Sequence, residues 1–121
     1  MTGQAMLKIK IQIYCGDQIA MGPGKADLLD AIADEGSISA AGRKLGMSYR
    51  RCWLLVDMMN RCWAQPLVAT SSEGAQLTDA GRAILRDYRA LQQVASGASE
   101  DAWPLLERHL RAAPLEAQAQ S

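Results

Sequence analysis

The sequence predicts a mainly α-helical domain with a small antiparallel β component, and three observations lead there. Two short helical patterns, residues 37–45 and 48–63, meet at Gly46. Two strand-like runs, residues 67–72 and 75–77, follow and are joined at Glu73 and Gly74. A long amphipathic stretch then begins at Thr78. A helix pair turned at a glycine, then a hairpin, then a long helix is the element order of a winged helix-turn-helix with a C-terminal linker helix.

Size and composition agree with one folded unit. A chain of 121 residues suits a single core, which at this length buries about two-thirds of the unfolded surface. With 49% apolar and 21% charged residues it is unlike a disordered chain. No apolar run approaches the ~20 residues that cross a bilayer, and residues 1–6 lack the charged-then-apolar order of a signal peptide. The expectation is a cytoplasmic protein with no membrane partner.

The elements follow in order. Residues 8–14 alternate polar and apolar, so Ile9, Ile11 and Ile13 line one face of a half-buried strand. After a turn at Gly16 and Asp17, residues 18–21 return as its hairpin partner until Gly22 and Pro23 break the pattern. A first helix starts near Pro23, carries Leu28, Leu29, Ile32 and Ala33 on one stripe, and stops at Gly36. Ser37 caps the second helix, which turns Ile38, Ala41, Gly42 and Leu45 inward, and Ser48 caps the third, residues 49–63. Pro66 returns the chain to an extended path before the hairpin, or wing. Thr78 caps a helix from Asp79 to about Ala95, residues 96–99 form a break, and residues 101–112 carry Trp103, Leu106 and Leu110 at helical spacing. This divides the chain into a domain over residues 1–98 and a short helical tail, partly disordered, over residues 99–121.

The site candidates come from the helix pair. Crossing helices need a small residue at their contact, which Ala41 and Gly42 supply. At 100° per residue the third helix places Tyr49, Cys52, Trp53, Val56, Met59 and Trp63 in an inward arc, and Arg50, Arg51, Leu54, Asp57, Met58 and Arg61 in an outer one. The outer arc opens with two arginines, able to bond guanine edges or phosphates, and has Leu54 one turn later for a thymine methyl. Ser48 can cap the helix while that helix end offers backbone donors to a phosphate. Arg43 and Lys44, at the end of the second helix, can approach the DNA backbone. Thirteen basic and thirteen acidic side chains cancel overall, yet residues 37–63 hold Arg43, Lys44, Arg50, Arg51 and Arg61 against Asp57 alone, while residues 25–36 are acidic. The wing lacks a base and carries Glu73, which argues against its entry into a minor groove. On the long helix Ile84, Tyr88, Leu91 and Ala95, widened by Leu85 and Val94, form an apolar stripe suited to a homodimer seam.

Other chemistries find no support. Three cysteines, Cys15, Cys52 and Cys62, show no C-x-x-C spacing, and the single histidine, His109, stands far from them in sequence. Cys52 and Cys62 read as small buried apolar residues. No metal site, no cofactor and no catalytic nucleophile is expected, so the chain is not read as an enzyme.

Residues 36–60, then Pro66-Leu-Val and Leu77-Thr-Asp-Ala-Gly81, resemble the N-terminal DNA-binding domain of the molybdate-responsive ModE regulators. The most specific part is Met47 to Asn60, MSYRRCWLLVDMMN. A more distant similarity is to the winged helix of LysR-type regulators. The resemblance spans residues 8–95 and implies a dimer formed partly through the long helix, with DNA contact carried onto Ser48, Tyr49, Arg50 and Arg51. It does not extend to molybdate: in the two-part regulators oxyanion binding belongs to C-terminal domains, and about 25 residues follow the linker helix here. The leading reading is a sequence-specific transcriptional regulator that binds double-stranded DNA as a homodimer. The rival, drawn from the neutral net charge, acidic wing and outward Leu54 and Met58, is a winged-helix module that binds a protein partner.

Overall fold

The structure, a computed structural model, describes residues 5–117. Two-residue turns and glycine stops divide the chain into β1 (Ile13–Cys15), β2 (Gln18–Met21), α1 (Pro23–Glu35), α2 (Ile38–Leu45), α3 (Tyr49–Cys62), β3 (Val68–Ser71), β4 (Gly74–Leu77), α4 (Asp79–Ala98) and α5 (Trp103–Glu107). Mostly helical, with two separate two-stranded antiparallel sheets, this is the winged helix-turn-helix that the element order predicts.

The boundaries follow local chemistry. Pro23 stands in the first turn of α1, where its missing N–H costs nothing. Gly36 and Gly46 end α1 and α2 in the left-handed region. The Oγ atoms of Ser37, Ser48 and Thr78 accept from the backbone N–H of Ala40, Arg51 and Gly81, respectively, capping α2, α3 and α4.

One core joins the elements. Met21 from β2, Leu28, Leu29 and Ile32 from α1, Val56 and Met59 from α3, and Leu67 before β3 are completely shielded or nearly so. Side chains bind the periphery to it. Asn60 Oδ1 accepts from the N–H of Leu67 at 2.8 Å and of Val68 at 3.1 Å, fixing the path from α3 into the wing. Trp63 Nε1 donates to the Ala20 carbonyl at 3.0 Å, and Tyr88 Oη donates to the Ile11 carbonyl at 2.7 Å. Wing and α1 approach so closely at Gly74 that a Cβ there would lie 2.2 Å from the Gly36 carbonyl oxygen, which accepts from Ala75 N–H.

Four expectations are corrected. The N-terminal strand is three residues long rather than seven, because β2 is cut off by α1 and leaves residues before Ile13 without a ladder partner; Ile11 and Ile13 pack against the core but Ile9 is exposed. Residues 96–98, expected to break the chain, are the last turn of α4. The helix expected over residues 101–112 is only Trp103–Glu107 and buries none of its residues, so its apolar stripe has no wall to hold it. In α3, Trp53 is exposed, while Leu55 is half-buried against the core. The expected tail lies partly outside the described residues, at 118–121.

Candidate nucleic-acid interface

The helix pair meets at Gly42. A Cβ at that position would lie 2.9 Å from Cys52 Sγ and 3.0 Å from the Met47 carbonyl oxygen, so a larger residue obliges Cys52 or the turn at Met47 to shift. The turn between them is closed by Met47 N–H on the Gly42 carbonyl at 2.8 Å. This contact sets the angle at which the first turn of α3 leaves the body.

That turn is capped by Ser48 and exposes Tyr49, Arg50 and Arg51. Leu54, one turn on, is 58% exposed. Neither Arg50 nor Arg51 makes an ion pair or a side-chain hydrogen bond among the described residues. Further along, Arg61 is spent on Asp57 at 3.0 Å, four residues before it. Arg43 Nη1 donates to Ser39 Oγ at 2.9 Å, within α2. Lys44 Nζ pairs with Asp34 at 3.0 Å, and that hydrogen bond and charge hold its pKa above the ordinary lysine value. Arg50 and Arg51 thus keep their guanidinium groups without an acidic partner, whereas Lys44 is already balanced.

Trp53 and Tyr49, assigned to the inward arc by helical phase, instead form an edge-to-face pair, centroids 6.2 Å apart at 76°. They line a shallow groove with Ser37, Ile38 and Ser39 of the α2 start and Thr70, Ser71, Gly74 and Ala75 of the wing. Sequence reasoning missed Trp53 because helical phase says which residues share an arc, not how wide the buried arc is. Missed too was Lys25 on α1, half-buried, whose pKa is lowered by burial and also by the nearby Arg51 charge. The wing tip, Ser71 to Gly74, presents Glu73 and no base.

The acidic stretch on α1 proves largely self-neutralised: Asp27 and Asp30 bind Arg89 of α4, at 2.9 Å and 2.5 Å, and Asp34 binds Lys44. On α4, Ile84 and Leu85 are half-buried against the core and Tyr88 is buried in it. Tyr88 is therefore unavailable to a second chain; Leu91 and Val94 remain exposed and Ala95 half-exposed.

The turn at Gly46 with its capped, outward basic helix gives the chain the geometry of a helix-turn-helix. The chain is similar to helix-turn-helix domains of LysR type. Residues 25–82 match the family described as bacterial regulatory helix-turn-helix protein, lysR family. The chain is 40% identical over 78 residues to the molybdenum transport protein ModE of Azotobacter vinelandii, covering 60% of this chain and 29% of that protein. It is 31% identical over 115 residues to the DNA-binding transcriptional dual regulator ModE of Escherichia coli strain K12, covering 87% of this chain and 42% of that protein. The chain thus spans less than half the length of these relatives. Its fold matches that of the DNA-binding domain of CbnR in a complex with DNA, at a TM-score of 0.58 and 23% identity over 69% of this chain and 95% of that one. No helix among the described residues is long and apolar enough to cross a membrane, and no group of three His, Cys, Asp or Glu residues there could hold a metal ion.

Proposed function

We propose that the chain binds double-stranded DNA sequence-specifically, as a homodimer, and regulates transcription in the cytoplasm. In this reading α3 lies in the major groove. The observation that carries it is the pair of acid-free guanidinium groups, Arg50 and Arg51, beside exposed Tyr49 and Leu54 at the leading end of α3. Arginine donates two parallel hydrogen bonds to the O6 and N7 edge of guanine, and an apolar side chain one turn later reads a thymine methyl. The capped end of α3 and Arg43 supply phosphate contacts that set the register, and Lys44 can join them by exchanging Asp34 for a phosphate. Two such helices related by a two-fold axis, through the exposed Leu91, Val94 and Ala95 side of α4, would address half-sites about one helical turn, ~34 Å, apart. The reading needs no cofactor and assigns no molybdate site.

Selecting bound sequences from a random duplex pool tests DNA binding, specificity and half-site symmetry together. A palindromic consensus is expected, with affinity falling steeply as salt rises because several counterions are released. A protein-binding module, which the exposed Leu54 and acidic wing would also suit, would select nothing and show no salt-dependent DNA affinity. That outcome would replace the proposal.

A further inference from the structure

The cysteines, which DNA recognition does not use, are differently placed: Cys52 is buried between α2 and α3, Cys62 is half-buried at the end of α3, and Cys15 is exposed at the end of β1. In the hairpin Cys15 stands opposite Gln18. Side chains alternate along a strand, so Cys15 shares a face with Gln18 and with Ala20. α3 packs against β2, and the residue after Cys62, Trp63, is bonded to the Ala20 carbonyl. Hairpin and helix end are thereby held together, which brings Cys15 close enough to Cys62 to act on its thiol.

We propose that Cys15 and Cys62 form a reversible intrachain disulfide that staples the N-terminal hairpin to the C-terminal end of α3. With hydrogen peroxide as oxidant, the exposed Cys15 thiolate attacks one peroxide oxygen, the O–O bond breaks, hydroxide leaves and Cys15 becomes a sulfenic acid. Cys62 then loses its proton and its sulfur displaces the sulfenic oxygen as water, closing the S–S bond. Burial, with the neighbouring Cys15, pushes the Cys62 thiol above its usual range, so it waits protonated; the Arg61 and Lys25 charges favour its thiolate when the proton leaves. A thiol reductant returns both cysteines to the starting state.

Cleavage after Lys10, Lys25, Arg51, Arg61 and Arg82 by trypsin puts each cysteine on its own peptide. After peroxide treatment of the full chain, mass spectrometry is expected to find the Cys15 and Cys62 peptides joined within a chain that runs as a monomer on a non-reducing gel. The link should vanish with reductant and in Cys15→Ser or Cys62→Ser. Cys52 should stay reduced, and the thermal midpoint of wild type, but not of Cys15→Ser, should rise on oxidation. Sulfinic or sulfonic acid at Cys15 with Cys62 still reduced, or a disulfide joining two chains through Cys15, would overturn the proposal. Neither result bears on DNA binding.

Discussion

The first turn of α3 and the tip of the wing flank one groove, yet they are armed in opposite ways. α3 presents Arg50 and Arg51 with no acid beside them, while the wing presents Ser71, Ser72 and Glu73. In a neutral protein the difference depends on where pairs form. Asp27, Asp30, Asp34 and Asp57 are answered by Arg89, Lys44 and Arg61, so internal pairing removes most of the acid facing the helix pair and leaves a local positive field at α3. Net charge conceals such an arrangement; the ion pairs reveal it.

The largest effect is expected from disarming the armed side. Arg50→Ala with Arg51→Ala should cost roughly 2–6 kcal/mol of specific binding, at about 1–3 kcal/mol for each bidentate contact. Both side chains are exposed, so the melting temperature should stay put. Gel-shift titration on the selected site checks the first statement and calorimetry the second. Undiminished affinity would mean that α3 does not carry the readout.

Next comes displacing the armed side without disarming it. Gly42→Val puts branched carbon where Cys52 Sγ and the Met47 carbonyl already sit, and overpacking of this kind costs about 1–3 kcal/mol of stability. Urea denaturation should show the loss, and specific binding should fall further than non-specific binding because the angle of α3 changes. A variant as stable as the parent would show that the helix crossing is looser than its contacts imply.

Much of this contrast was legible in the sequence. Local signals survive folding because they act within a few residues: Gly36 and Gly46 as stops, Ser37, Ser48 and Thr78 as caps, Pro23 as a helix start. Arg50, Arg51 and Leu54 face outward as periodicity requires. What periodicity could not supply was the partner across space. Trp53 shares its arc with Tyr49 and leans into the wing groove rather than the core; Tyr88, on a stripe suited to another chain, reaches its own N-terminal segment at Ile11. Residues 8–12 have the alternation of a strand but no neighbour to pair with, and residues 108–112 have the spacing of a helix but no wall. Lys44 reads as free charge until Asp34 is brought to it, and nothing local in the sequence pairs Arg89 with Asp27 and Asp30.

Removing the cap tests how far the leading turn depends on its own chemistry. Ser48→Ala deletes the acceptor for Arg51 N–H and should lower stability by about 1 kcal/mol. It should also reduce affinity for DNA slightly, since a frayed first turn no longer presents its backbone donors or holds Arg50 in place. Ser48→Asp, which restores the cap but adds an anion, should recover the stability in thermal melts and lose still more affinity, separating the two roles of the position.

The smallest effect, and the sharpest test of the contrast, is to arm the wing. Glu73 is exposed at the turn between β3 and β4, where its N–H, not its carboxylate, is engaged, donating to Ser71 Oγ at 3.1 Å. Glu73→Lys therefore leaves the hairpin intact and replaces repulsion of a phosphate with attraction. If the wing tip lies beside the DNA backbone, one added phosphate contact should steepen the slope of log affinity against log salt by about 0.9 and tighten binding at low salt. The preferred sequence should not change, because a phosphate contact carries no base information. Binding indifferent to this charge reversal would place the wing away from the backbone and leave the DNA to α2 and α3, whereas a shift in the consensus would mean that the wing reads bases after all.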